Sequence, residues 1–176
     1  MRQSRRSLFL IVVFITAWSS PSSTDLWAAS RRLDAPQRKA TELPRQALVQ
    51  RVIDGDTIEL ASGQLVRYIG IDTPEVRRRH GTQWIVDPEP FAREATEANT
   101  RLVKGQLITL EYDVQTHDRY GRLLAYVWVN DTMVNATLLT EGYAQLLTIP
   151  PNTKYVDDFR RQAELARHQR RGLWSR

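Results

Sequence analysis

The sequence predicts an α+β domain, mainly β, built as a five-stranded barrel with three helices. Three observations predict it. Short β-prone runs with period-2 alternation are separated by Asp-Gly and Ser-Gly turn signals. A helical stripe interrupts these runs after the third, and two further helical patterns follow the fifth. Cysteine is absent, while 41% of the 176 residues are hydrophobic and 26% charged. The chain therefore builds one ordinary core, with no disulfides, thiolate metal sites or cysteine nucleophile.

The first 29 residues have the pattern of a targeting segment. Arg2, Arg5 and Arg6 precede an apolar run from Leu8 to Trp18. That run is about 11 residues, against the roughly 20 that cross a bilayer. The expectation is an export signal, or an N-terminal anchor if it is not removed. Either places the protein outside the cytoplasm, secreted or in the periplasm and envelope. Membrane association follows only if the segment is retained. Residues 30–45 are rich in Arg, Ala and Pro without apolar periodicity and are expected to be a linker. The folded domain is expected over residues 46–174.

Leu48 to Ile53 is the first strand, stopped by Asp54-Gly55. Thr57 to Leu60 alternates as the second, and Ser62-Gly63 turns it into the third, Leu65 to Ile71. Residues 76–90 hold Arg77-Arg78-Arg79-His80-Gly81, Pro88 and Pro90 and are expected to form a long loop. The arginine run is a solvated loop in this reading; its rival role is steering a phosphate backbone. Phe91, Ala95, Ala98 and Leu102 then share one helical face, with Gly105 as the stop. Ile108, Leu110 and Tyr112 mark the fourth strand, and Leu123 to Val129 the fifth. Met133 to Glu141 is a short helix. Val156, Phe159, Ala163 and Ala166 stripe an amphipathic last helix that ends near Gly172. A helix between the third and fourth of five strands is the order of an OB-fold barrel.

If Ser62-Gly63 centres the hairpin, Asp56 faces Ile69 and Asp54 faces Ile71, so Asp54, Asp56 and Asp72 gather at one barrel end. Clustered carboxylates repel unless a cation joins them or some take up protons. An all-oxygen donor set selects a hard cation, Ca²⁺ or Mg²⁺. Glu75, just past Pro74, is placed to serve as a general base beside that cation. Arg67 and Arg122 offer planar forks that pair with phosphate oxygens and keep their charge at any working pH. Metal, carboxylate and two guanidinium groups form a consistent set for phosphodiester hydrolysis.

Val52-Ile53-Asp54-Gly55-Asp56-Thr57, Arg67 with Gly70-Ile71-Asp72-Thr73-Pro74-Glu75, and Asp118-Arg119-Tyr120-Gly121-Arg122-Leu123-Leu124-Ala125-Tyr126 resemble the staphylococcal nuclease (thermonuclease) family. Met133-Val134-Asn135, Glu141-Gly142-Tyr143-Ala144 and Gly172-Leu173-Trp174 extend the resemblance across roughly residues 46–174. It implies an OB-fold, calcium dependence, cleavage of DNA and RNA, and 3′-phosphate ends. It also implies that Asp56, Asp72 and the Thr73 carbonyl bind calcium, with Asp54 in the outer shell. Glu75 would act on the attacking water, while Arg67 and Arg122 would hold the phosphate. The sequence departs from the family at two tyrosine positions that flank the bound nucleotide, which here hold Thr148 and Pro150.

Net charge discriminates little. The formal charge is +5, but the first 29 residues supply +2 of it. The competing reading is an OB-fold module that binds nucleic acid without cutting it. Such a module is expected to lose carboxylates or arginines at the site, and all six are present here. The expected form is a monomeric enzyme acting on DNA and RNA.

Overall fold

The computed structural model describes residues 42–175. The expected leader over 1–29 and most of the expected linker lie outside the described residues. Among the described residues no helix is long and apolar enough to cross a membrane.

Five strands close into a barrel: β1 (Gln46–Val52), β2 (Thr57–Leu60), β3 (Leu65–Tyr68), β7 (Leu107–Glu111) and β8 (Leu123–Val129). β1 pairs antiparallel with β2 and β7, β2 with β3, and β7 with β8. The ring shuts where β3 runs parallel to β8, matching Val66 to Leu123, Arg67 to Leu124 and Tyr68 to Ala125. One strand can serve two neighbours because β1 breaks register between Val49 and Arg51. Its first half pairs with β7 and its second half with β2; an extra residue at such a bulge bends the strand and sharpens its twist. This is the five-stranded OB-fold architecture that the order of elements predicts.

Alternation places the core. Val49, Ile58, Leu60, Val66, Tyr68, Ile108, Leu110, Leu123, Ala125 and Val127 are buried inside the ring. Three helices pack against it: α1 (Ala92–Val103), α2 (Val134–Thr140) and α3 (Val156–His168), followed by a single 3-10 turn, Gly172–Trp174. α1 presents Ala92, Ala95, Ala98 and Val103, α2 presents Leu138 and Leu139, and α3 presents Phe159, Ala163 and Ala166. Phe91 is not part of α1; it precedes the helix with φ 69.

Three expectations are corrected. Residues 76–90 are not a long loop, because β5 (Arg77–His80) and β6 (Gln83–Val86) pair as an antiparallel hairpin. Gly81, at φ 60, opens its two-residue connection with Thr82, and a glycine there supplies the positive φ that matches hairpin twist. The β2–β3 hairpin is also one residue out of the expected register. Leu60 N–H bonds the Gln64 carbonyl at 2.9 Å, so the connection has three residues and Thr57 pairs with Arg67. Asp56 therefore lies opposite Tyr68, whose N–H reaches the Asp56 carbonyl at 2.9 Å. Finally, the third strand does not continue to Ile71. It stops at Tyr68, and Ile71–Asp72 forms a separate short strand, β4, paired with β9 (Gln145–Leu146). The break falls at Gly70, whose φ of 82 and whose Cα, with a Phe159 ring carbon 2.6 Å from where a Cβ would stand, admit only glycine without rearrangement.

Candidate active site

The loop between β1 and β2 turns tightly, and the Asp56 N–H binds the Asp54 carboxylate at 3.0 Å. Such a local bond from an aspartate to the backbone two residues on stabilises a turn. Asp56 then points inward and is nearly buried, at 4% exposure. Its oxygens are met on all sides. Oδ2 accepts from the Thr73 N–H and hydroxyl, both at 2.9 Å, and pairs with Arg67 Nη1 at 2.9 Å. Oδ1 accepts from the Thr57 hydroxyl at 3.1 Å. Gly55 makes the approach possible: a Cβ there would meet the Thr73 side chain at 2.6–2.8 Å.

Arg67 is the hub of the cluster. Its second nitrogen pairs with Asp72 Oδ1 at 2.7 Å, so one guanidinium bridges Asp56 and Asp72. It also donates to the Ile71 carbonyl at 2.9 Å, across the break that Gly70 makes. Asp72 is held at the surface by pairing opposite Gln145. Glu75 follows Pro74, and its N–H donates to Glu89 Oε2 at 3.2 Å, while Glu89 N–H returns to the Glu75 carbonyl at 3.0 Å. Asp54 and Glu75 line one recess of about 420 Å³ with Arg51, Val52, Ile53 and Val76.

The electrostatics follow from this crowding. Burial pushes Asp56 up to about 7, opposed by Arg67 and reinforced by Asp54. Glu75 is also raised, first by partial loss of water and then by Asp54 and Asp72, against the pull of Arg67. Among the described residues no three acidic or histidine side chains form a ready-made metal cage. Arg67 occupies the place between Asp56 and Asp72. The donor chemistry nevertheless fits a hard cation: Asp56 and Asp72 flank the Arg67 guanidinium, Asp54, Asp72 and Glu89 lie near enough for their charges to act on Glu75, and what these acidic side chains offer is carboxylate oxygen.

Arg122 reaches the same region from the other side of the barrel seam. It precedes β8, whose first residues run beside β3, so the closure brings Arg122 and Arg67 to one cavity of about 520 Å³. Asp118 fixes the Arg122 fork through Nε at 2.7 Å and takes the Arg122 N–H at 3.0 Å. Burial tends to raise Asp118, but these bonds outweigh it and hold the carboxyl below its ordinary value. The Tyr120 ring lies 5.6 Å from the Arg122 guanidinium carbon and is 69% exposed at the cavity mouth.

The structure thus brings together Arg67, Asp56, Asp72 and Thr73 in direct contact, with Asp54 and Glu75 beside them and Arg122 across the cavity. Four residues to which the sequence reasoning gave no role at the site complete the arrangement. Asn99, fully buried on α1, donates to the Asp54 carbonyl at 3.0 Å and accepts from the Tyr68 hydroxyl at 2.8 Å. Asn135, fully buried on α2, holds the Ile69 carbonyl and the Val127 N–H, both at 2.9 Å. Asn152 clamps Gln115 through two bonds of 2.8 Å and so ties one cavity wall to the other. Ile149, 62% exposed, lines the cavity between Thr148 and Pro150. A polar Asn99 four residues after Ala95 on an apolar stripe was a readable signal; the pairing of Asn152 with Gln115 and the place of Ile149 on the cavity were not.

Comparison with known proteins agrees with this geometry. The family model described as "Staphylococcal nuclease homologue" matches residues 65–176. The thermonuclease of Staphylococcus intermedius is 36% identical over 148 residues, covering 81% of this chain and 85% of the relative. Endonuclease YncB of Bacillus subtilis (strain 168) is 34% identical over 151 residues, covering 83% of this chain and 69% of the relative. The SPbeta prophage-derived endonuclease YokF of the same strain is 38% identical over 133 residues, but the match spans 43% of its length. With the barrel order, the acidic loop and both arginines in place, these matches make the chain a member of the staphylococcal nuclease homologue family.

Proposed function

We propose that this protein is a calcium-dependent nuclease that hydrolyses phosphodiester bonds of DNA and RNA and leaves 3′-phosphate ends. The observation that carries this reading is the joint placement of Arg67 and Arg122 on one cavity, with Arg67 backed by Asp56 and Asp72. Relatives named thermonuclease and endonuclease support it.

In this reading Arg122 binds one pair of phosphate oxygens, oriented by Asp118, and Arg67 supplies a second fork as charge builds on the phosphorus. Glu75 accepts the proton of the attacking water; its raised proton affinity suits a base working near neutral pH. Calcium would be held by Asp56, Asp72 and the Thr73 carbonyl, with Asp54 in the outer shell, and when bound it supplies charge stabilisation and acidifies water. Tyr120 and Ile149 offer apolar surface to a base or sugar at the cavity mouth. The proposed setting is outside the cytoplasm, on the strength of the leader-like first 29 residues.

The test is incubation of the chain with single-stranded DNA or RNA and Ca²⁺, with and without chelator, followed by end-group analysis. Chelator-sensitive cleavage to 3′-phosphate ends is expected. Glu75→Gln lowers turnover by at least about 10²-fold. Binding without cleavage by the unaltered chain overturns the nuclease reading in favour of a binding module.

A further inference from the structure

We infer that Asn99 is a positioning residue of the candidate cation site: with Tyr68 it fixes the acidic loop, residues 53–57, in place, and this preset position gives the loop its hold on a hard divalent ion. The inference rests on the calcium-dependent reading and extends it to a residue on α1 that acts through the Asp54 backbone. The chemistry of a buried amide supplies the first reason. The buried residues of α1 are Ala92, Ala95, Ala98, Asn99 and Val103, so Asn99 is the polar member of an apolar set. A polar group there costs free energy unless its bonds are met. Both ends of this amide are met. Nδ2 donates to the Asp54 carbonyl at 3.0 Å, and Oδ1 accepts from the Tyr68 hydroxyl at 2.8 Å. A carbonyl can only accept, so Asp54 fixes which way the amide points, and Oδ1 is left in need of a donor. Tyr68 is 2% exposed, and burial pushes its hydroxyl well above the ordinary value, so it stays a donor at any working pH.

The arrangement of the loop supplies the second reason. Tyr68 reaches it twice. Its N–H holds the Asp56 carbonyl at 2.9 Å, and its hydroxyl holds the Asp54 carbonyl through Asn99. The neighbouring Arg67 pairs with the Asp56 carboxylate. Within the loop, the Ile53 and Asp54 N–H groups fold onto the Thr57 carbonyl at 2.9 and 3.3 Å. Those local bonds give the loop its shape, and Asn99 ties that shape to α1. Asp54 raises both Asp56 and Glu75 by its charge, and like charges drive such a loop apart until an ion arrives. A loop already held in position spares the ion the cost of ordering it, and the saving appears as affinity.

The experiment is calorimetric titration of the full chain with calcium, with thermal unfolding and amide exchange in chelator on the same proteins. Asn99→Leu, similar in size, removes both bonds and is expected to weaken calcium binding about tenfold, the lower end for groups that orient metal ligands. Val103→Ala trims the same helix one turn further on. It lowers the melting temperature and leaves calcium affinity at the wild-type value. Tyr68→Phe keeps the Asp54 bond and strips Oδ1 of its donor; a loss of at least about twofold is expected, and this variant decides the matter if Asn99→Leu does not fold. In chelator the Ile53 and Asp56 amides exchange faster in Asn99→Leu than in Val103→Ala. Wild-type calcium affinity in the folded Asn99→Leu variant overturns the inference. An equal loss of affinity in Val103→Ala also overturns it, because a loosened core then accounts for the effect. Equal loop exchange in the two variants does the same. The two readings fail separately: an unaltered chain that binds no calcium sinks the calcium-dependent reading itself, whereas binding that no variant weakens sinks the role of Asn99 alone.

Discussion

Gly55 shows how little room the acidic loop has. Thr73 binds Asp56 with both its N–H and its hydroxyl at 2.9 Å, and this contact forms only because nothing projects from residue 55. A methyl group there would sit 2.6–2.8 Å from the Thr73 side chain, inside any normal contact distance. Gly55→Ala is therefore expected to destabilise the protein by about 1–3 kcal/mol, the usual range for overpacking. It also displaces Thr73 from Asp56, so the cleavage rate falls further than the loss of folded protein explains. Thermal unfolding and initial rates on the same sample measure the two effects; a variant with wild-type rate and stability would show that the loop has slack. Arg67 is equally confined, since its fork already serves two carboxylates and the Ile71 carbonyl.

At the scale of elements, the Glu111 carboxylate braces the joint between α3 and the barrel. Glu111 on β7 accepts from Trp128 Nε1 at 2.9 Å, from the Tyr155 hydroxyl at 3.0 Å and from the close Lys154 ammonium. Tyr155 in turn packs edge-on against Tyr126, with ring centroids 4.7 Å apart. Burial tends to raise Glu111, but the three donors outweigh it and hold the carboxyl below its ordinary 4.5. A carboxyl with a lowered folded value stabilises fully above its unfolded value and loses that contribution as pH falls through the folded one. Glu111→Gln should thus cost about 2 kcal/mol at pH 7, with the gap to wild type narrowing below about pH 4.5; urea melts at about pH 7 and pH 3.5 check this. The barrel strands were legible because alternation marks them. The β5–β6 hairpin was not, since Arg77-Arg78-Arg79 carries no apolar alternation and Pro88 and Pro90 signal a loop. The meeting of Asp54 with the Asp56 backbone, and of Asp56 with Asp72 through Arg67, was legible from the hairpin in outline, although the register was one residue out. The double ion pair of Arg67 was hidden because it depends on the Gly70 break, and so were the partners Asp54 of Asn99 and Ile69 of Asn135, because they lie far along the chain.

For the whole molecule, the parallel seam between β3 and β8 is the decisive join. Ile69 N–H extends it by bonding the Ala125 carbonyl at 3.0 Å. No local turn can form this pairing, because the β5–β6 hairpin, α1 and β7 lie between the two strands in the chain. Closing such long-range contacts is slow, and opening them means opening the barrel. The Ile69 amide is therefore expected to exchange with solvent only through global unfolding, with the denaturant dependence of the whole protein. Hydrogen exchange in low urea measures this, and faster, denaturant-insensitive exchange at Ile69 would show a weak seam. The same join decides when the two guanidinium forks face one another. A chain still being made has each fork on a separate piece. Such a chain has nothing with which to grasp a phosphate, so the ability to damage nucleic acid arrives with the last staves of the barrel and is withheld from every earlier form.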